Sequence, residues 1–242
     1  MTFNLNSILK IATIAAIVPL AGFGLWTVTA NAEGLLPVNA PAPTADERPN
    51  ASTETAVFAG GCFWGVQGVF QHVKGVKTTL AGYAGGTLAN PSYEQVGTET
   101  TGHAESVEVV FDPSQVSYGQ LLQIFFSVIT DPTTKDQQGN DVGTSYRSAL
   151  FTMSDQQAKV AKAYIAQLDA AKIYPAPIVT EVTPYTNFYR AEDYHQDNAY
   201  TERDNPGYLE AFDEPKIKDF QAKYPGLWLD RPVLVFASNY RA

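Results

Sequence analysis

The sequence predicts an α+β domain built as a two-layer sandwich on a mixed sheet. Short strand-like apolar runs alternate with helical spacings in no regular order, and no internal repeat divides the chain. With 242 residues, 45% of them hydrophobic and 12% aromatic, the chain suits one globular domain with a sizeable core and some extra sequence around it.

At the N-terminus, Lys10 precedes an apolar run that starts at Ile11 and continues through Leu25 and Trp26 to Ala30-Asn31-Ala32. A cationic start, an apolar middle and a small-residue exit make residues 1–32 a secretory signal. The run also approaches the shortest length that spans a bilayer, so an uncleaved anchor, and with it a membrane tether, is the alternative. Either reading exports the remainder, to the periplasm or cell envelope. Residues 33–53, with Pro37, Pro41, Pro43 and Pro49 and no apolar period, are expected to form a flexible linker. Residues 54–242 are the expected domain.

Within it, Thr55 to Ala59 reads as a strand entering Gly60-Gly61, and Phe63 to Val73 carries apolar residues at helical spacing. Lys77 to Tyr83 and Ser106 to Phe111 read as strands, and Tyr118 to Ile129 as a helix with an apolar face. Tyr146 to Thr152 is a further strand, Ser154 caps a long helix over Gln156 to Ala171, and Ile178 to Val182 is the last clear strand. Beyond Thr183 the chain turns aromatic and polar, and Leu227, Trp228, Leu229 and Val233 to Phe236 suggest a tail wrapped over the core.

A formal charge of −9, from 16 Lys and Arg against 25 Asp and Glu, repels a phosphate backbone and argues against nucleic acid as a partner. Three histidines and one cysteine at unrelated spacings make no metal pattern, and no phosphate loop, dinucleotide fingerprint or calcium loop is present. The single cysteine, Cys62, cannot form a bridge within its own chain. It stands at a strand-to-helix junction, where free helix amides favour a thiolate and two preceding glycines allow a sharp turn that leaves sulfur accessible. A small buried apolar filler is the alternative for such a residue. For Glu105 the residues alone favour an exposed acid at a strand start, and for the tyrosines simple packing.

Gly61-Cys62-Phe63-Trp64-Gly65 resembles the signature of the peptide methionine sulfoxide reductase A family. Gly82 to Gly86, Asn90 to Tyr93, Thr101 to Glu105, Gln138 to Asp141, Tyr146 to Ser148 and Ala191 to Gln196 are also similar to family segments, in family order. The resemblance implies a ferredoxin-like fold and reduction of the S form of methionine sulfoxide, in proteins or free, with no bound cofactor. It implies Cys62 as nucleophile, Glu105 as the acid on the sulfoxide oxygen, Tyr93 and Tyr146 as phenols binding that oxygen, and Asp141 as a carboxylate serving the later water or thiol step. Phe63 and Trp64 would cradle the substrate methyl, and His195 would order the pocket. With no second cysteine, the sulfenic acid left on Cys62 needs an external thiol, from a thioredoxin-like donor or a small thiol. A monomer is expected. Gln67 stands where many relatives have Glu, and Asn198 where a Tyr commonly follows the His-Gln pair, with Tyr200 a poor substitute by spacing. A thiol peroxidase or redox sensor, and a tethered binding module, are the rival functions.

Overall fold

The computed structural model describes residues 38–48, 51–201 and 205–237; the signal or anchor and the first part of the linker lie outside them. Among the described residues eight strands form: β1 (Glu54–Gly60), β2 (Val76–Ala84), β3 (Ala104–Phe111), β4 (Gln137–Gln138), β5 (Asp141–Val142), β6 (Ser148–Thr152), β7 (Glu181–Pro184) and β8 (Phe188–Arg190). The helices are α1 (Phe63–Gln71), α2 (Tyr93–Val96), α3 (Tyr118–Ile124), α4 (Asp155–Ala171), α5 (Asn198–Thr201), α6 (Pro206–Tyr208) and α7 (Glu214–Lys223). Six strands make one mixed sheet in the order β7-β6-β1-β3-β2-β8, with only β6 and β7 parallel; β4 and β5 form a separate hairpin. The architecture is α+β, a mixed sheet with helices.

β1 lies between β3 and β6, and its run Ala56-Val57-Phe58-Ala59 is buried on both faces, as a central strand requires. Phe58 packs against Phe70 of α1 and Phe125 at ring distances of 4.8 and 5.5 Å, joining sheet and helices in the main core. Val57, Ala59, Ala149 and Phe151 form a smaller cluster with Phe188. Ser92, Ser117 and Ser154 cap α2, α3 and α4, and the first two complete reciprocal boxes with Gln95 and Gln120.

Four expectations shift. The helix from Tyr118 becomes α3 followed by a π-helical turn over Phe125–Ile129, where Thr130 N–H reaches back to the Phe125 carbonyl. Tyr146 falls in a 3-10 turn, Thr144–Tyr146, ahead of its strand. The last strand expected at Ile178 to Val182 begins at Glu181, because Val179 N–H is taken by the Pro132 carbonyl rather than by the sheet. The linker is also no free tether over residues 38–48. Tyr164 donates to the Pro41 carbonyl at 2.7 Å, Gln167 bonds Thr44 and Ala42, and Asp46 accepts from Ser117 and Gly119. Prolines lose little freedom on ordering and leave carbonyls open to such donors, which is why a segment without period still docks.

Beyond β8 the chain returns to α1. Asp197, fully buried, accepts from Gln71 at 2.7 Å and from the amides of Val235 and Phe236. Val233 and Leu229 donate to the carbonyls of Gln71 and His72, so the tail satisfies the open C-terminal end of α1.

Candidate functional site

Gly61 adopts φ +93°, a left-handed turn that only glycine makes without strain, and Cys62 follows as the N-cap of α1. The turn delivers sulfur to the helix start but not to open solvent, since Cys62 is 8% exposed. Nor is its resting form a thiolate. Burial pushes the Cys62 thiol well above its ordinary range, with Asp213 and Glu105 adding to it, while the Trp64 amide pulls the other way without prevailing. The helix field expected from sequence is present and is outweighed by desolvation and by nearby carboxylates.

Glu105 sits on β3 opposite Tyr83 of β2. Its Oε2 accepts from the Phe63 N–H at 3.0 Å, the first amide of α1 and the residue next to Cys62. At 3% exposure, burial pushes its carboxyl up to about 8 against the pull of that amide, so it carries a proton at neutral pH. A protonated acid and a neutral thiol thus meet at one helix end.

Around them stands an aromatic wall. Trp64 Nε1–H donates to His195 Nδ1 at 3.1 Å, and the His195 ring lies 4.9 Å from Phe63 and 4.4 Å from Tyr93. Nδ1 therefore carries no proton, and His195 holds Trp64, Phe63 and Tyr93 together. Tyr93 and Tyr146 are both raised above the usual phenol range, first by burial and next by Glu105, so each remains a donor beside that carboxyl. Two acids that the sequence reading left without a role hold these phenols. Glu192 accepts from the Tyr93 amide at 3.0 Å and the Tyr83 hydroxyl at 2.8 Å; Glu99 accepts from Thr144 and Ser145, fixing the turn that carries Tyr146. Asp141, on the β4–β5 hairpin, accepts from the Tyr208 hydroxyl. All eight residues singled out in the sequence thus lie in or against one cluster. Among the described residues no group of three His, Cys, Asp or Glu side chains could hold a metal. A cavity of about 430 Å³ between Leu168 and Pro177 shares no residue with the cluster.

Residues 54–226 match the family described as peptide methionine sulfoxide reductase. The chain is 52% identical to MsrA 2 of Mesorhizobium japonicum over 194 residues, which cover 80% of this chain and 99% of that protein. It is 48% identical to MsrA 2 of Synechocystis over 76% of this chain and 87% of the relative. The chain belongs to the peptide methionine sulfoxide reductase family. Among solved structures, the reduced form of Mxr1 from Saccharomyces cerevisiae matches with a TM-score of 0.57 at 31% identity, covering 67% of this chain and 91% of that one. Methionine sulfoxide reductase A of Corynebacterium diphtheriae matches with 0.54 at 38%, covering 66% and 78%. The enzyme is a peptide-methionine (S)-S-oxide reductase, an oxidoreductase.

Two departures from the reductase pattern have structural accounts. Gln67 is buried and uses both ends of its amide, donating to the Thr79 carbonyl and Gln196 Oε1 while accepting from Asp197 N–H. Asn198 is buried beside the Tyr194 carbonyl, and Tyr200 turns to the Gly68 carbonyl and the His72 ring. Neither brings a phenol to Trp64; Tyr208 does, with ring centroids 6.1 Å apart and edge-on. Sequence reasoning missed Tyr208 and Asp213. The only early signal was Asn205-Pro206, a helix start inside the supposed irregular tail.

Proposed function

We propose that this reductase works by a one-cysteine cycle in which Cys62 receives the sulfoxide oxygen and Glu105 relays the proton. The observation that carries this reading is the Phe63 N–H bond to Glu105, which fixes a protonated carboxyl beside the nucleophile. With the substrate methyl against Phe63 and Trp64, the sulfoxide oxygen faces Glu105 and the phenols of Tyr93 and Tyr146. Cys62 Sγ attacks the sulfoxide sulfur as Glu105 gives its proton to the oxygen and is reprotonated by the thiol. In the sulfurane so formed the hydroxyl passes from the substrate sulfur to Cys62 Sγ: the substrate's sulfur–oxygen bond and the new sulfur–sulfur bond break, an oxygen–Sγ bond forms, and methionine leaves with the electron pair, so that Cys62 is a sulfenic acid.

An external thiol attacks Cys62 Sγ, releasing water and forming a mixed disulfide; a second thiol releases the Cys62 thiol and the donor disulfide. Asp141 serves this half by orienting the water or the incoming thiol. The donor is a thioredoxin-like protein or a small thiol, since the chain has one cysteine. Oxidised proteins and free methionine sulfoxide are the substrates, and the working form is a monomer. The cationic, apolar and Ala-Asn-Ala sequence of residues 1–32 supports export to the periplasm or envelope, by cleavage or as a tether, for repair where oxidants arrive. No helix among the described residues is long and apolar enough to cross a membrane. At the level of fold, the order β6-β1-β3-β2 with α1 between β1 and β2 and α3 between β3 and β6 supports a ferredoxin-like, two-layer core.

The test is turnover of separated methionine sulfoxide epimers with dithiothreitol, beside Cys62→Ser. The S epimer alone should be reduced, the variant should be inactive, and one sulfenic acid should form per Cys62 when donor is withheld. Full turnover in Cys62→Ser, or no sulfenic acid after one turnover, overturns the cycle.

A further inference from the structure

Three residues past the end of α2, Glu99 stands at φ +63°, a left-handed backbone that a glutamate adopts only under strain. Its carboxylate holds it there. Oε2 accepts from the Thr144 hydroxyl and the Ser145 N–H, both at 2.8 Å, and Oε1 accepts from the Ser145 hydroxyl at 2.6 Å. Burial alone would raise this carboxyl, but the bonds from Ser145 and Thr144 outweigh it and keep it below its ordinary range, so it is charged. Gly143 makes room for it, since a Cβ there would lie 2.4 Å from Oε1. Arg147 closes the same seam in the opposite direction, donating to the Thr144 carbonyl at 2.8 Å and to the Gly102 carbonyl at 3.0 Å.

The seam joins the two phenols of the site. On one side Glu99 N–H bonds the Val96 carbonyl and Gly97 N–H the Tyr93 carbonyl, which anchors the loop on the helix that carries Tyr93. On the other, Tyr146 N–H bonds the Gly143 carbonyl inside the clamped turn. We propose that Glu99 is the positioning residue that sets Tyr146 against Tyr93, through a carboxylate clamp between the loop after α2 and the turn before β6. The inference rests on the reductase reading above and adds what fixes the spacing of its two phenols. The same charge acts on Glu105, which faces Cys62, Tyr83, Tyr93, Asp141, Tyr146 and Asp213. Burial first, and then the carboxylates of Asp141, Asp213 and Glu99, push the Glu105 carboxyl up against the pull of the Phe63 amide. Without the Glu99 charge, Glu105 loses its proton at lower pH.

The test is kinetics of Glu99→Gly and Glu99→Gln on a peptide carrying S-sulfoxide with dithiothreitol as donor, joined to single-turnover rates across pH. Glu99→Gly relieves the backbone but removes the clamp, and should lower kcat/KM about tenfold or more at neutral pH. Glu99→Gln should recover most of that loss, because its amide accepts from Ser145 N–H and donates to the Ser145 hydroxyl. In a Tyr146→Phe background the Glu99→Gly loss should shrink, a coupling that a merely structural role would not produce. The alkaline fall in rate should move to lower pH in Glu99→Gln, and stay in place in Asp155→Asn, which removes one charge at the start of α4. If Glu99→Gly does not fold, Thr144→Val/Ser145→Ala, which removes two of the donors and leaves residue 99 intact, should show the same loss and the same coupling. Wild-type kcat/KM in Glu99→Gly or in that double variant, no recovery in Glu99→Gln, or a loss additive with Tyr146→Phe overturns this proposal alone. An alkaline fall unmoved in Glu99→Gln overturns the part assigned to its charge. A wild type inactive on the S epimer overturns the reductase reading and this proposal with it.

Discussion

Toward the sheet, α1 presents Val66, Val69 and Phe70 to a core of Phe58, Val107 and Val109. Toward the C-terminal segment it presents Gly65 and Gly68 to Asp213 and Ile217, and its Gln67 and Gln71 amides to Gln196 and Asp197. The first side works by removing apolar area from water, which is non-directional and depends on volume. The second works by close approach and matched donors, where one wrong atom is felt. Stability therefore rests chiefly on the sheet side, whereas the register of the pocket depends on the other.

The largest expected effect lies on the sheet side. Phe70→Ala should cost about 3–5 kcal/mol in denaturant unfolding, with the surviving folded fraction keeping its KM. On the other side, Gly65→Ala must displace Asp213 and should cost about 1–3 kcal/mol while lowering kcat/KM of the folded enzyme well beyond that loss. Equal effects on KM from both substitutions would remove the distinction.

The sheet side was legible in sequence because apolar residues at helical spacing have few other uses, and the strands and long helix followed from the same periodicities. Cys62, Phe63 and Trp64 were legible from their motif, as were Glu105 and His195, although composition alone would have left Glu105 an exposed acid. The C-terminal side was not legible. Its information lies in one Asn-Pro step and in glycines and amides of α1 whose partners, Asp213, Gln196 and Asp197, stand far along the chain, and no local period records such pairings. The charge state of Cys62 was misjudged for a related reason: a helix start is visible in sequence, but the enclosing carboxylates of Glu105, Asp141 and Asp213 come from three separate segments.

A smaller effect sharpens the comparison at the helix end, where both sides meet. Glu105 is raised from 4.5 to about 8 in the folded enzyme, so between these values the native state binds the extra proton. Its contribution to stability is full below 4.5 and is lost as pH rises through about 8. Glu105→Gln should remove that slope from unfolding free energies measured across the interval, while lowering kcat about a hundredfold or more. An unchanged slope would mean that Glu105 is not the buried acid of the site.

The resting enzyme stores the reaction's proton on Glu105 beside a neutral Cys62 thiol. Single-turnover reduction of the S epimer without donor, followed against pH, tests it most directly. The rate should be level near neutrality and fall above about 8 as Glu105 loses its proton, a fall absent from the slow Glu105→Gln variant. A rate that climbs through the same alkaline range, tracking thiolate formation on Cys62, would contradict it.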